Sequence, residues 1–167
     1  MPSKIYSNVE TALLFADSAQ SGLAAQLTLS ALPTGAGRYS VRYDRGAASH
    51  AGLYEWLLNF SLTGTNIAGA SVEIYVVRSD GTYADGALTT ADTAVAAASS
   101  AKRNNTLFAG LAIVDQTTTN VVMTGRGYFW LPSRYFSMFV WNATTLNFQT
   151  STTLHQLYVT PVPDEVQ

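Results

Sequence analysis

The two histidines, His50 and His155, are the residues on which a general base or a histidine-ligated metal site would have to depend. His50 lies in a turn-like link, Ala47–Gly52, and His155 lies in an alternating segment where its ring is expected to point outward. Ser49 beside His50 suggests a hydrolase, but the chain has no Gly-x-Ser-x-Gly elbow to hold such a nucleophile. We therefore expect both histidines to be solvated side chains without a catalytic role.

Two glutamates are the candidates for carboxylate chemistry. Glu55 and Glu73 occur in segments that we predict to be neighbouring strands, with Asp44 nearby. Glycoside hydrolysis needs two acids that flank one sugar. Both glutamates fall at polar positions of alternating segments, beside Arg42 and Arg78, so cross-strand ion pairs are the better interpretation. We predict that the protein is not an enzyme.

The segment Asp80–Gly86 superficially resembles a calcium loop. An EF-hand loop carries oxygen ligands at alternate positions and a Glu at position twelve. Those positions here hold Thr82, Ala84 and Ala91, so two Asp-Gly turns explain the segment better. Gly125-Arg126-Gly127 is too short for a phosphate loop. We expect no metal and no cofactor.

Aromatic residues concentrated between residues 128 and 141 offer a third kind of chemistry, the stacking of sugar rings. Sandwich folds host lectins. The alternation of the sequence, however, places most of these rings in the core. The residues are Tyr128, Phe129, Trp130, Tyr135, Phe136 and Trp141.

The composition limits the classes of function. The chain has 167 residues, the length of one ordinary domain, and no cysteine, which excludes disulfides and Cys-ligated metals. Charged residues make up 12 % of the chain, against a usual fraction of about 25 %. The nine basic residues are scattered and the net charge is −2, so we expect no nucleic-acid partner. A weakly charged surface rich in Thr, Ser and Asn suits packing against other protein copies.

Period-2 alternation identifies the elements that must position all these residues. Tyr54–Leu62 and Ser71–Arg78 place their apolar residues at every second position, which predicts half-buried strands. Tyr135–Trp141 is apolar on both faces, so we expect it to be central and covered on both sides. Further strands are predicted at 24–31, 38–45, 107–113, 119–123, 128–131 and 154–159. The sum favours an all-β antiparallel β-sandwich, jelly-roll-like, with an immunoglobulin-like sandwich close behind.

The ends of the chain and one internal stretch lack this pattern. Val9–Ala16 fits either a strand or a helical turn, and Ala84–Ala101 is predicted to be a long loop with one short helical turn. We expect one domain over residues 1–167, with an extended N-terminal arm (about 1–20) and an extended C-terminal tail (161–167). We expect neither a signal peptide nor a membrane-spanning segment in the first residues.

Four segments carry a resemblance to small β-sandwich structural proteins of tailed bacteriophages. They are Val72–Gly81, Tyr83–Gly86, Phe108–Leu111 and Leu131–Asn142, and the resemblance covers about residues 37–160. The order of a strand, Ser-Asp-Gly, a long loop, and then Pro, an aromatic strand and Asn is most similar to capsid decoration (cement) proteins.

The resemblance implies a protein on the exterior of the virion, made in the host cytoplasm, that binds the major capsid protein and stabilises the head. It also implies a homo-oligomer, with a trimer favoured at local three-fold sites. Because both ends look extended, we place the partner interface there. The interface residues are Lys4, Ile5, Tyr6, Pro161, Pro163 and Val166.

Two other functions stay open at this point. A tail- or head-fibre component, or a carbohydrate-binding module that recognises host glycans, would use the aromatic residues near positions 128–141. A glycosidase would use Glu55 and Glu73. Neither the oligomeric state nor the contacting surface follows from the sequence.

Overall fold

The computed structural model describes residues 5–6, 11–47, 50–85, 91–162 and 165–166, and thirteen strands and one longer 3-10 helix lie within them. The strands are β1 (Ile5–Tyr6), β2 (Leu13–Ala16), β3 (Ala25–Gln26), β4 (Gly37–Tyr39), β5 (Tyr43–Asp44), β6 (Leu53–Phe60), β7 (Ser71–Ser79), β8 (Thr93–Val95), β9 (Leu107–Ile113), β10 (Met123–Trp130), β11 (Tyr135–Asn142), β12 (Gln156–Pro161) and β13 (Glu165–Val166). The 3-10 helix spans Ala97–Asn105. No helix in the described ranges is both long enough and apolar enough to cross a membrane.

Two sheets pack against each other and confirm the predicted all-β sandwich. The five-stranded sheet has the order β10-β6-β12-β2-β3, and the six-stranded sheet has the order β8-β4-β11-β7-β9, with β5 also paired to β11. The framework strands are β2, β4, β6, β7, β9, β10, β11 and β12. Taken as first to eighth in chain order, they run sixth-third-eighth-first in one sheet and second-seventh-fourth-fifth in the other. This interleaving is the strand order of a jelly roll.

Strict alternation in β6 and β7 builds the core between the sheets. Tyr54, Trp56, Leu58 and Phe60 are all fully buried on β6, as their spacing predicts. On β7 the inward residues are the predicted Val72, Ile74 and Val76. Full burial of each such side chain contributes roughly 1.5–3 kcal/mol, so these two strands supply much of the stability.

Strand β11 is central and buried on both faces, as predicted. Phe136, Met138 and Val140 point into the core between the sheets. Phe139 and Trp141 point the other way, into a second cluster on the outer face of the six-stranded sheet. The sandwich therefore has one main core and one smaller outer core.

The predicted strand over residues 38–45 is broken in the middle. It forms β4 and β5, and Ser40 between them is buried with its hydroxyl hydrogen-bonded to the carbonyl of Val41 and the N–H of Met138. Tyr39 lies in the outer core, whereas Val41 and Tyr43 pack against the main core. Unbroken alternation over the predicted strand 38–45 would place these three side chains on one face, but the break at Ser40 lets the chain change faces.

Of two predicted strands, 119–123 and 128–131, the second lies in β10 except for its last residue, whereas the first was wrong apart from Met123, where β10 begins. β10 runs without interruption through Gly125 and Gly127, which lie against the side chains of Ala112 and Trp56. A Cβ at Gly127 would lie 2.6 Å from Nε1 of Trp56, so only glycine fits there. Gly125 and Gly127 face inward but have no apolar side chain of their own, because Ala112 and Trp56 fill the space beside them. These two positions therefore interrupt the period-2 pattern of apolar residues.

The region at the N-terminal end resolves into two short strands. Leu13–Ala16 is strand β2, which settles the earlier alternative between strand and helical turn. Of the predicted strand over residues 24–31, only Ala25–Gln26 pairs, parallel to β2. The predicted loop over residues 84–101 contains β8 and the start of the 3-10 helix.

Candidate functional site

The two glutamates are not neighbours. Glu55 lies on β6 in the five-stranded sheet and Glu73 lies on β7 in the six-stranded sheet. Since Trp56 and Ile74 beside them face the main core, the glutamates face outward on opposite sides of the sandwich. The expectation of neighbouring strands was wrong, and one sugar cannot lie between these carboxylates.

Both glutamates do form ion pairs, with partners other than those predicted. Glu73 pairs with Arg103, and Glu55 lies 3.9 Å from Nη1 of Arg126. Of the two predicted partners, Arg78 pairs with Asp85 at 3.1 Å. The other, Arg42, donates to the carbonyl of Gly81 and lies over the ring of Tyr135. Sequence adjacency suggested the wrong arginines because the true partners come from distant segments.

The carboxylate of Asp80 closes a turn. The N–H groups of Thr82 and Tyr83 each donate to its Oδ1 at 2.7 Å, and these bonds hold the pKa of Asp80 below its ordinary value. Gly86 lies outside the described residues. Within the part of the chain that the structure describes, no group of three or more acidic, His or Cys side chains is arranged to hold a metal ion.

His155 is buried just before β12, so the expectation of an outward ring was wrong. Its Nε2 lies 3.0 Å from the carbonyl of Gln149, and its ring packs on Phe148 with centroids 5.2 Å apart. Burial lowers the pKa of His155. His50 lies in the predicted link, with its Nε2 3.1 Å from the carbonyl of Gly46, and Ser49 lies outside the described residues.

The predicted interface residues fall at the two ends of the chain, which pair with each other. Ile5 lies opposite Val166 in a two-stranded sheet, β1 with β13, and Tyr6 belongs to the same strand as Ile5. Pro161 is the last residue of β12, opposite Tyr54, and is buried. Lys4 and Pro163 lie outside the described residues. A role for these residues in binding a partner stays a prediction.

A cleft of about 700 Å³ opens at one end of the sandwich, between the turn after β7 and the segment before β11. Its charged groups are paired within the chain. Arg134 bonds to Asp44 at 2.7 Å and 2.8 Å and lies over the ring of Tyr135, while Arg78 bonds to Asp85. The Arg134 hydrogen bonds, with that from the N–H of Gly46, lower the pKa of Asp44 to about 2. These pairs hold the end of the sheet together, and the cleft offers weaker evidence of a site than the sheet faces do.

The outer face of the six-stranded sheet is covered over part of its area. The 3-10 helix covers it, with the guanidinium of Arg103 4.3 Å from the ring of Trp141 and paired with Glu73. β8 is an edge strand of the sheet itself and adds Val95 to the outer core. Asp92, just before β8, fixes this edge strand, since it accepts hydrogen bonds from Arg38 on β4 and Gln26 on β3. Cover and sheet together enclose the outer core.

The edge strand β9 of that face is left uncovered, and its side chains are apolar. Phe108, Leu111 and Ile113 lie on the outer face, opposite Tyr75, Glu73 and Ser71 of β7, and are 53 %, 43 % and 45 % exposed. We call these three residues the β9 stripe. A bulge at Ala109 changes the phase of the strand, which brings Phe108 onto the same face as the other two.

The sequence contained the signal for the stripe only indirectly. Phe108 and Ile113 have opposite parity in the chain, so simple alternation assigns them to opposite faces. Gly110 adopts φ +142° at the bulge, a conformation that favours glycine, and it packs against Trp56. An isolated Gly in a strand pattern is a bulge signal, and it would have located the shift.

The outer face of the five-stranded sheet is different in character. Tyr128 and Trp130 on the edge strand β10 are 60 % and 59 % exposed, and the strand pairing sets Glu55 directly opposite Tyr128. We call Tyr128, Trp130, Glu55 and Arg126 the aromatic face. Of the predicted stacking residues, Phe129, Phe136 and Trp141 are buried and Tyr135 is half-buried, so the structure leaves two of the six rings free for a ligand.

No protein-family model matches this sequence, and a search of curated proteins finds no match. The β9 stripe and the aromatic face are therefore the features that bear on function.

Proposed function

We propose that this chain is a virion structural protein of a tailed phage, a decoration protein that binds the outer surface of the head and stabilises it. The observation that carries the proposal is the β9 stripe, three large apolar side chains exposed side by side on a rigid edge strand. The largest apolar patch on a typical monomer is roughly 300–600 Å² and often functional, and the stripe lies at the lower end of that range. The jelly-roll strand order and the resemblance of the sequence to decoration proteins support the same conclusion.

The size of the stripe decides what kind of protein contact it suits. Its exposed area is on the order of 300 Å², below the roughly 800 Å² per partner of a standard stable interface. Burying it would contribute roughly 7 kcal/mol, which lies within the cost of about 4–15 kcal/mol for association. One stripe alone therefore gives a weak contact.

A repeated lattice turns weak contacts into stable attachment. If the chain is an oligomer, as the resemblance implies with a trimer favoured, each further stripe that engages the shell binds at high effective concentration. Because the assembled shell binds the protein and separated shell subunits do not offer the composite site, binding stabilises the shell by mass action. The partner in this proposal is the major capsid protein.

Rebinding to capsids tests the proposal. Heads that lack the protein are mixed with purified chain, sedimented, and heated beside complete heads. We expect the wild-type chain to cosediment and to restore heat resistance. Heads that resist heat equally well without the protein, and that do not rebind it, would overturn the proposal.

Variants of the stripe connect the result to the structure. The double substitution Leu111→Thr, Ile113→Thr places β-branched residues, which suit a strand, at both positions and removes apolar contact, so we expect cosedimentation to be lost. Val122→Thr is the matched control, since Val122 is 46 % exposed and lies outside the stripe. Equal cosedimentation of the double variant and the wild type would show that the stripe is not the contact.

A second candidate function is favoured by a separate observation. The exposure of Tyr128 and Trp130 keeps open a fibre component or carbohydrate-binding module that recognises host glycans. Such a protein would bind sugars in the absence of any capsid, which separates the two candidates.

A further inference from the structure

Trp130 presents a ring that is held in place and open on one side. A Cβ at Gly52 would lie 2.4 Å from Cη2 of Trp130, so the indole rests directly on the backbone of Gly52. That backbone is itself fixed, because the N–H of Leu131 donates to the carbonyl of Gly52 at 2.8 Å. A ring supported from below and more than half exposed loses little freedom when a flat ligand stacks on it.

Tyr128 extends the same surface. It lies two residues before Trp130 on β10 and on the same face, which places the two attachment points about 7 Å apart along the strand. Two neighbouring rings can therefore contact two successive units of one ligand.

Polar side chains lie beside the rings. Glu55 is opposite Tyr128, and Nη1 of Arg126 lies 3.9 Å from Oε1 of Glu55. The side chain of Glu55 is 31 % exposed and that of Arg126 is 66 % exposed. An ion pair this long and this exposed contributes little, so both groups can exchange it for hydrogen bonds to a ligand. On the other side of Glu55, β12 places Thr160, whose hydroxyl is a further donor and acceptor.

We propose that the aromatic face binds a neutral oligosaccharide of pyranose sugars. One face of a pyranose ring is lined by C–H groups, which stack on Trp130 and Tyr128, while its hydroxyls take hydrogen bonds from Arg126 and donate them to Glu55. One carboxylate and one guanidinium leave the face without net charge, which favours a neutral sugar. The proposal rests on the second candidate function and deepens it by naming the class of ligand and the residues that hold it, and it does not depend on attachment to a capsid.

A protein partner fits this face less well than the β9 stripe. Glu55 and Arg126 lie among the rings, so a dry protein interface would desolvate both charges without supplying new hydrogen bonds. A sugar supplies those bonds with its hydroxyls. The three residues of the β9 stripe are apolar and carry no charged group.

The indole N–H signals in a ¹H–¹⁵N NMR spectrum test the site on the isolated chain, without capsids. The chain has three tryptophans, of which Trp56 is buried with its N–H donated to Ala109, and Trp141 is buried under Arg103. The probes are hexasaccharides of glucose, mannose, galactose and N-acetylglucosamine. We expect at least one of them, at millimolar concentration, to shift the Trp130 signal saturably while the other two signals stay in place. No shift with any of the four sugars would overturn the proposal.

Variants separate stacking from hydrogen bonding. We expect Trp130→Ala to abolish binding, as followed by titration calorimetry, and Tyr128→Ala and Glu55→Gln each to weaken it by about tenfold. Phe108→Ala is the matched control, because it removes an exposed ring from the opposite face and should bind like the wild type. Equal sugar affinity of W130A and the wild type would overturn the assignment of the face.

Sedimentation velocity distinguishes the competing occupant, a second copy of the chain. We expect W130A and the wild type to sediment alike at every protein concentration. A concentration-dependent oligomer that W130A loses would show that the aromatic face is a self-association surface, and the glycan proposal would then be wrong. Neither result depends on the capsid experiment, so the two proposals can fail separately.

Discussion

Trp141 and Trp130 occupy the outer faces of the two sheets and differ in what lies over them. Trp141 is 4 % exposed, because the 3-10 helix lies over its face and Arg103 of that helix stacks on its ring. Trp130 is 59 % exposed, because no described segment lies over the aromatic face. The outer face of a sandwich becomes core only where the chain supplies a cover, and the apolar surface left uncovered is available to partners.

Alanine substitution of the two tryptophans gives the largest contrast. We expect Trp141→Ala to cost about 3–5 kcal/mol in the free energy of unfolding, because it empties the outer core. Trp130→Ala should cost less than about 1 kcal/mol, since an exposed side chain gains little from burial. Urea unfolding at neutral pH measures both. Equal losses in the two variants would contradict the distinction between covered and uncovered faces.

The hydrogen bonds that Asp92 accepts just before the edge strand β8 give the next largest effect. Asp92 accepts hydrogen bonds from Arg38 at 2.7 Å and 2.9 Å and from Gln26 at 3.0 Å. We expect Asp92→Asn to cost about 2 kcal/mol at pH 7, the range for hydrogen bonds to charged groups. Asp115→Asn, which changes an exposed carboxylate, is the control.

The same residue predicts a pH dependence. Burial raises the pKa of Asp92, but the hydrogen bonds from Arg38 and Thr28 outweigh it and the net pKa is lowered. A carboxylate whose pKa is lower in the folded state binds protons more readily when unfolded. Its stabilisation is therefore present above the unfolded pKa of about 3.9 and is lost as the pH falls below that value. Between pH 6 and pH 3, the free energy of unfolding should depend less steeply on pH for D92N than for the wild type, and equal slopes would contradict this role.

The two outward glutamates sharpen the comparison with a smaller effect. Glu73 is 20 % exposed and binds both Arg103 and the hydroxyl of Tyr75, whereas Glu55 is 31 % exposed and 3.9 Å from its arginine. We expect Glu73→Gln to cost about 1–1.5 kcal/mol and Glu55→Gln less than about 0.5 kcal/mol.

Titration of Tyr75 gives an independent readout for Glu73. Burial and the hydrogen bond to Glu73 raise the pKa of Tyr75 to about 12. Ultraviolet titration should show this pKa fall towards its ordinary value in Glu73→Gln and stay in place in Glu55→Gln. An unchanged Tyr75 titration in Glu73→Gln would contradict the covered geometry.

A small effect is also expected on the stability of the β9 stripe variant. Leu111→Thr with Ile113→Thr should change the free energy of unfolding by less than about 1 kcal/mol, because both side chains are nearly half exposed. Thermal unfolding measures this, and Val122→Thr is again the control. A large loss would mean that the stripe is part of the core, and its apolar character would then need no partner.

Alternation predicted the main core correctly because each inward position of β6 is filled by a large apolar side chain. It failed where the backbone departs from a regular strand, at the break beside Ser40 and at the bulge in β9. It also failed for His155, whose polar ring is satisfied in the interior by the carbonyl of Gln149. One unpaired residue or one internal hydrogen bond reverses the face of a side chain, and a period-2 pattern records neither.

The two outer faces were less predictable than the core. The cover is a 3-10 helix in an Ala-rich stretch without an apolar stripe, and it contacts the sheet through Arg103, whose partner Glu73 lies 30 residues away in the chain. Asp92, which fixes the preceding strand β8, bonds to Arg38, 54 residues away. The ring of Trp130 rests on the backbone of Gly52, and a glycine in the sequence gives no sign that a large side chain packs against it. The phage resemblance, by contrast, came from the sequence, and the functional role that it implies stays a prediction.

Electron cryomicroscopy of heads with the chain bound tests the central claim most directly. We predict density for the jelly roll on the outer surface of the head, with Phe108, Leu111 and Ile113 facing the shell and Tyr128 and Trp130 facing solvent. Density that contacts the shell through the aromatic face, or heads that carry no density for this chain, would contradict the account.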